Sequence, residues 1–369
     1  NTGWYIHNFR TNLIAKIISE NYELVLITPL DNYVQDLIKE GYQHVEWKLS
    51  RKSVNPLSEI KSLINLILIL KNLKPDLVHN FTIKACLYGT LAAKLSGIKY
   101  VINAITGLGH LFVGKKISTK VLRIFLIPIY RIILSARRSN IVFQNEDDLE
   151  KFVNLRFANK KSSSLIQGSG VDVNKFTPAE DSSGKYHEPI RILFPSRLII
   201  EKGILEVIAA CESLWQENYS FTLLIAGKSN DDNSSSIDDK TLNYIKSNSK
   251  IQYLGHVKQI KDLYESTDIV LLPSWREGLS KALIEAASMQ RPIITTDVTG
   301  CANIIDHGQN GILVPKQDSH SIKLALKLLI LNPELGRKFG ISIRKKVIKY
   351  FSSNLVNSQT LDLYKKIIT

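Results

Sequence analysis

The sequence predicts an α/β protein of two doubly wound domains, and three observations carry that prediction. Short apolar runs alternate with helical patterns in two separate series, as βαβ units do. A polar, turn-rich stretch, Phe176 to Pro189, lies between the series and reads as a linker. A length of 369 residues suits two domains, each able to bury its own core. The domains are drawn at residues 1–177 and 187–350, with a C-terminal helix over 353–369 packing back on the first. They are expected to face each other across a cleft, with ligands at the carboxyl ends of the strands.

The first series opens on a glycine-containing turn, NTGWY, and a helix over about Phe9 to Ser19. Strands are expected at Tyr22 to Pro29, Asp76 to Asn80, Tyr100 to Gly107 and Asn140 to Asn145. A doubly wound domain begins with a strand before its first turn. The chain starts at Asn1 and holds one methionine, Met289, so that strand is expected upstream of the sequence. The second series has strands at Ile190 to Ser196, Phe221 to Gly227, Ile251 to Gly255, Ile269 to Ser274, Pro292 to Asp297 and Gly311 to Pro315. A helix over Gly203 to Trp215 follows the first of these, and a Ser/Asn/Asp-rich loop follows the second.

Composition narrows the class. With 44% apolar and 22% charged residues the chain is globular. Cys86, Cys211 and Cys301 are far apart, which argues against a zinc site or a disulfide framework and fits a reducing cytosol. The net charge of +14 is concentrated, because residues 51–140 hold 15 Lys+Arg against 2 Asp+Glu. Such a window attracts nucleic acid, an anionic membrane or a phosphorylated substrate. It is rich in Leu and Ile and sparse in aromatics for base stacking (Phe81, Tyr88, Tyr100, Phe112, Phe125 and Tyr130), which favours a membrane over nucleic acid. Its apolar runs, as within Leu63 to Leu70, are well short of the roughly 20 residues that span a bilayer. Lys115 to Ser139 sets Leu122, Ile124, Phe125, Ile127, Ile129, Ile132 and Ile133 among basic residues, with a break at Pro128. A basic, apolar helix of this kind suits a membrane surface through Lys115, Lys116, Arg123 and Arg131. A core helix with basic ends is the other reading.

Pro273 to Ile305 carries the chemistry. A loop after a strand leads into a helix from about Ser280, with Glu277 before the helix and Glu285 eight positions on. Gly278 permits a tight turn that leaves the amides of Leu279 and Ser280 at the helix N-terminus, a setting for phosphate. One carboxylate can then hold sugar hydroxyls and the other ribose hydroxyls. On spacing alone, a helix-start charge and a solvated glutamate are the preferred reading; the surrounding sequence changes that.

The stretch resembles the family 4 glycosyltransferases of the GT-B fold, whose signature is two glutamates with seven residues between them in this strand–loop–helix context. A second signature, a strand followed by Arg and by Lys-Gly opening a helix, is matched by Arg197, Lys202 and Gly203 in FPSRLIIEKGILEVIAA. Gly168 to Pro178, Leu254 to Val257 and Asn310 to Pro315 extend the resemblance. It implies a retaining, metal-independent transferase with a nucleotide sugar, chiefly a UDP-sugar, as co-substrate and no cofactor. It implies that Arg197 and Lys202 bind the donor diphosphate, Glu277 the transferred sugar and Glu285 the ribose. Residues at His256 and Val257 border the base, and Gly3 lies near the donor phosphates. Thr106 stands where the family often has a histidine, so Thr106, Gly107 and His110 are assigned to the acceptor side. Cations and amides would stabilise the leaving diphosphate, and no Asp-x-Asp motif is present. The closest phrases are those of bacterial enzymes that build surface polysaccharide or lipid-linked oligosaccharide. The implied partners are a donor, a polyprenyl-diphosphate-linked saccharide and an anionic membrane at the cytoplasmic inner face, with no nucleic acid. A nucleotide-sugar epimerase or phosphorylase of the same architecture, or a non-catalytic sugar-nucleotide binder, are the competing readings.

Overall fold

The computed structural model describes residues 2–49, 55–106, 131, 133–134, 139–179, 186–229 and 235–368. The chain forms two compact units: residues 1–169 with 353–369, and residues 170–352.

The first unit opens with α1 (Gly3–Phe9), whose N-cap Thr2 accepts from the Tyr5 amide at 3.1 Å. Arg10 ends it, and α2 (Thr11–Ser19) follows where the sequence predicts a helix over Phe9 to Ser19; the glycine-containing stretch that reads as a turn is itself the start of α1. Strand β1 (Val25–Thr28), α3 (Asn32–Lys39), capped by Asp31, and β2 (Gln43–Glu46) form a parallel βαβ unit. Helix α4 (Pro56–Leu73) has Asn55 as N-cap and Pro56 at its first position, where a missing N–H does no harm. Then come β3 (Leu77–Phe81), α5 (Ile83–Leu95), β4 (Tyr100–Ile105), β5 (Ser139–Phe143), α6 (Glu146–Asn154) and β6 (Ser163–Leu165). The four strands form a parallel sheet in the order β3-β4-β5-β6. Ile27 of β1 and Val78 of β3 pack on one cluster with Trp47 and Leu66, so the two sheets share a core without being hydrogen-bonded to each other.

The second unit holds β7 (Ile190–Phe194), α7 (Ile204–Gln216), β8 (Phe221–Ala226), α8 (Asp239–Ser247), β9 (Ile251–Gly255), α9 (Ile260–Glu265) and β10 (Ile269–Leu272). It continues with α10 (Lys281–Ser288), β11 (Ile293–Thr296), α11 (Thr299–Ala302), β12 (Ile312–Val314), α12 (Ser319–Leu331) and α13 (Pro333–Tyr350). Its parallel sheet runs β12-β11-β10-β7-β8-β9. The chain moves outward from β7 to β9, then returns past β7 to β10, so the order reverses between β7 and β10. A crevice opens at the carboxyl ends of strands at such a reversal. Residues on both faces of the sheet are buried, including Ile192, Leu193, Leu271 and Leu272. Burial on both sides explains why these strands read as unbroken apolar runs.

The last helix, α14 (Ser353–Ile368), belongs to the first unit, where Val356, Leu361, Leu363 and Tyr364 join Leu13, Ile17, Ile102 and Val142 in one cluster. The division between units falls at Ser169/Gly170, earlier than the 177 drawn from sequence. Two anchors explain the difference. The Val171 amide donates to the Phe351 carbonyl at 2.9 Å, and Phe176 is buried in the second core with its carbonyl held by Ser288 at 2.7 Å. The stretch taken as a linker is likewise tied into the second unit, because Asp268 accepts from the His187 amide at 3.1 Å. The three cysteines are buried and free. Among the described residues, no helix is long and apolar enough to cross a membrane.

Candidate functional site

The reversal point of the second sheet brings two signature residues together. Lys202 ends a 3-10 turn (Ile200–Lys202) after β7, and Glu277 lies in the loop after β10. Lys202 Nζ pairs with Glu277 Oε1, and the Ser274 hydroxyl donates to the same oxygen at 2.8 Å. Both side chains are largely buried, so each neutralises a charge the other could not leave unpaired without a large desolvation penalty.

Close backbone approaches hold this pair. Gly203 has φ +79, and a Cβ there would collide with the Pro273 carbonyl. The start of α7 can therefore lie directly against the exit of β10. On the other side, a Cβ on Gly300 of α11 would strike the carbonyl oxygens of Glu277 and Gly278. Trp275 closes the frame: its amide donates to the Glu201 carbonyl at 2.9 Å and its indole N–H to Glu206 Oε1 at 3.2 Å. Sequence reasoning did not single out Ser274, Trp275, Glu201 or Glu206. Their only signal was adjacency to the two signatures.

The other donor residues expected in this unit follow strands of the same sheet. Arg197 is exposed in the loop after β7 and forms no ion pair among the described residues. Its amide lies against Gly227, where a Cβ would collide with Ser196 and Arg197. His256 is exposed just after β9, and Val257 is half-buried against the core. Gly278 and Leu279 are half-buried and Ser280 stands at the N-cap position of α10. Glu285 is buried on the second turn of α10 rather than solvated, 3.6 Å from Lys281. Burial pushes its pKa up, opposed by the charges of Lys281 and Lys175. Cys301, beside the pair, is pushed up to about 12, mainly by burial and then by the charge of Glu277.

In the first unit, Gly3 starts α1, and a Cβ there would collide with the Asp31 carboxylate and Val34. The Trp4 amide donates to that carboxylate at 3.0 Å, so glycine at this position has a packing reason. Thr106 is half-buried after β4. Gly107, His110, Lys115, Lys116 and Arg123 lie outside the described residues. Arg131 is exposed, and its Nε donates to the Leu155 carbonyl at 3.0 Å. Arg10, overlooked in the sequence, is buried with Phe81 stacked 4.3 Å from its guanidinium carbon and its NH1 donating to the Gly168 carbonyl at 3.3 Å. It has no acidic partner among the described residues. His79 contacts the Tyr364 hydroxyl at 2.6 Å, and burial, aided by the charge of Arg10, drives its pKa well below the usual histidine value.

Two α/β units with parallel sheets, one reversing at a charged pair, define the GT-B class of fold. A family model described as "Glycosyl transferases group 1" matches residues 176–346, and one described as "Glycosyl transferase 4-like" matches residues 2–145. A Campylobacter jejuni protein, N,N'-diacetylbacillosaminyl-diphospho-undecaprenol alpha-1,3-N-acetylgalactosaminyltransferase, is 26% identical over 99% of this chain and 97% of its own. The Escherichia coli UDP-Gal:alpha-D-GlcNAc-diphosphoundecaprenol alpha-1,3-galactosyltransferase is 24% identical over 94% of this chain and 89% of its own. The crystal structure of a glycosyltransferase from Rickettsia africae superposes with a TM-score of 0.79 at 20% identity, covering 99% of this chain and 95% of that one. The chain belongs to the group 1/family 4 glycosyltransferases.

Proposed function

We propose that this glycosyltransferase moves a hexose or N-acetylhexosamine from a UDP-sugar to a polyprenyl-diphosphate-linked saccharide at the inner face of the membrane, in surface-polysaccharide biosynthesis. The observation that carries the reading is the Lys202–Glu277 pair across the reversal point of the second sheet. Lys202 and Arg197 would take the donor diphosphate, whose negative charge grows as the glycosidic bond breaks. The diphosphate then competes for Lys202, leaving Glu277 to accept from hydroxyls of the transferred sugar. Glu285 would hold the ribose, and His256 and Val257 would border the base. Gly3 would lie near the donor phosphates, and Thr106, Gly107 and His110 would serve the acceptor. With the leaving charge met by cations of the chain itself, the transfer needs no metal. Both relatives are named for lipid-diphosphate acceptors, and one for UDP-galactose. The alpha linkage in their names is the outcome of retention when the donor is an α-linked nucleotide sugar. The test is a panel of UDP- and GDP-sugars with a bacterial membrane extract, read by released nucleotide and by the mass of the glycolipid formed. Growth of a glycolipid by one hexose or N-acetylhexosamine with a UDP-sugar is expected. Product only with GDP-sugars, or epimerised donor without transfer, would overturn the assignment.

A further inference from the structure

The outer face of α4 has the wrong chemistry for water. At about 100° per residue, Leu57, Ile60, Ile64 and Leu68 fall within about 80° of arc, and each is more than half exposed. The opposite side of the helix buries Ser62, Leu66 and Leu70. The stripe lies on the side that amphipathic helices keep polar. The other polar features of α4 do not relieve it. Its one acid, Glu59, is turned toward α5, where it pairs with Lys84 at 2.9 Å and accepts from Tyr88. The exposed charges interleaved with the stripe are Lys61 and Lys71, which form no ion pair among the described residues. Lys71 also lines an open depression of about 760 Å³ together with Lys74 and Lys99, in which Asp76 is the one acid.

We infer that this face of α4, with the lysine-lined depression at its C-terminal end, docks on an anionic lipid surface. Isolated apolar residues on a surface are ordinary, but a contiguous stripe marks something that covers it. Charge decides the occupant. A second copy packed face to face by a two-fold axis would set Lys61 and Lys71 against the same lysines. An anionic bilayer takes the apolar side chains into its interfacial layer and meets the lysines with phosphates. A second exposed stripe sharpens the point: Leu324, Leu328 and Leu331 of α12 line one side of that helix. There the neighbouring Lys323 and Lys327 both pair with Glu217, at 2.5 and 2.9 Å, so their charge is partly met within their own unit. The inference rests on the lipid-linked acceptor reading for its biological setting and on α4 alone for its physics.

The test is sedimentation of the full chain with phosphatidylcholine vesicles, with and without phosphatidylglycerol, at low and high salt. Wild type should bind the anionic vesicles reversibly. The triple variant Ile60→Ser/Ile64→Ser/Leu68→Ser should lose about tenfold in binding, and Lys61→Glu/Lys71→Glu should abolish the salt-sensitive part. Leu324→Ser/Leu328→Ser should bind like wild type. Nucleotide release from the donor without vesicles checks that each variant is folded. If an active wild type ignores anionic vesicles, or the α4 and α12 variants lose binding equally, the inference is overturned while the transferase reading stands. A wild type that binds vesicles but releases nucleotide from no donor overturns the transferase reading alone. Light scattering that shows a dimer converted to monomer by the triple variant would reassign the face to self-association.

Discussion

The two units share one alternation of strand and helix but balance their charges differently. In the second unit, several lysines close on partners within the unit, Lys202 on Glu277, Lys281 on Glu285, and Lys323 and Lys327 on Glu217, while Arg197 stays open among the described residues. In the first, Lys84 pairs with Glu59, but among the described residues Arg10 is buried against aromatic rings and a carbonyl without a carboxylate, and Lys61, Lys71 and Lys74 are exposed without one. A charge matched internally can be held in a fixed geometry before any ligand arrives. A charge left open is available to whatever anion the unit meets. On the proposed function, preorganised chemistry falls to the second unit and adaptable attachment to the first.

The strongest way to break that comparison is at the matched pair. Lys202→Ala and Glu277→Ala should each lower transfer by roughly 10²–10³, and each should also lower the melting temperature, because it leaves a largely buried charge unpaired. Because the residues are partners, the double variant should lose little more than the worse single one. Full additivity in kcat/KM would show that they act independently.

The support of the pair is the next point of attack. Gly300→Ala forces the Glu277 loop to shift, and a displacement of about 1 Å at a reacting group can cost about 10²-fold in rate. A normal kcat in Gly300→Ala would show that the loop position is not critical.

A smaller effect is expected from Glu285. Burial raises its pKa above the ordinary glutamate value, so the folded chain favours its protonated form. That contribution to stability is fully present below the unfolded pKa and is lost as pH rises through the raised folded one. Accepting hydroxyls of the ribose favours the ionised form. UDP binding should therefore weaken several-fold as pH falls through the region just above the usual glutamate range, and Glu285→Gln should flatten the profile. Titration calorimetry across that range checks both, and identical slopes in wild type and variant would remove Glu285 from the nucleotide site.

The smallest effect should come from chelation. Activity is expected to survive EDTA, measured as nucleotide released; complete loss restored by Mg²⁺ or Mn²⁺ would overturn a leaving group stabilised by cations of the chain alone.

Legibility in the sequence followed burial. Ile269–Leu272 and Ile190–Phe194 could be read because strands covered on both faces are apolar throughout. β2, with the sequence QHVE, and β6, with SSL, could not, because edge strands carry polar residues that look like loop. Helix α1 was hidden because Gly3 near its start reads as a turn. Lys202 and Glu277 were visible through two local signatures. The hold of Trp275 on Glu206 was not, since it joins residues 69 positions apart. The boundary at Ser169 was hidden for the opposite reason: the polar stretch that looked like a linker is pinned by Asp268 inside the second unit.

The return of α14 to the first unit sets an order of events during synthesis. Leu13, Ile17, Ile102 and Val142 find their last neighbours only in Val356, Leu361, Leu363 and Tyr364. Between Ser169 and Ser353 the ribosome must produce the whole second unit, which at about 5–20 residues per second takes roughly 10–40 s. The second unit, continuous in sequence, can close while the first waits with an open apolar flank. Nascent chains arrested just before Ser353 should then be cut by protease in the first unit and resist in the second, a pattern that release of the last helix erases. Equal resistance of both units before α14 emerges would show that the flank is closed without it.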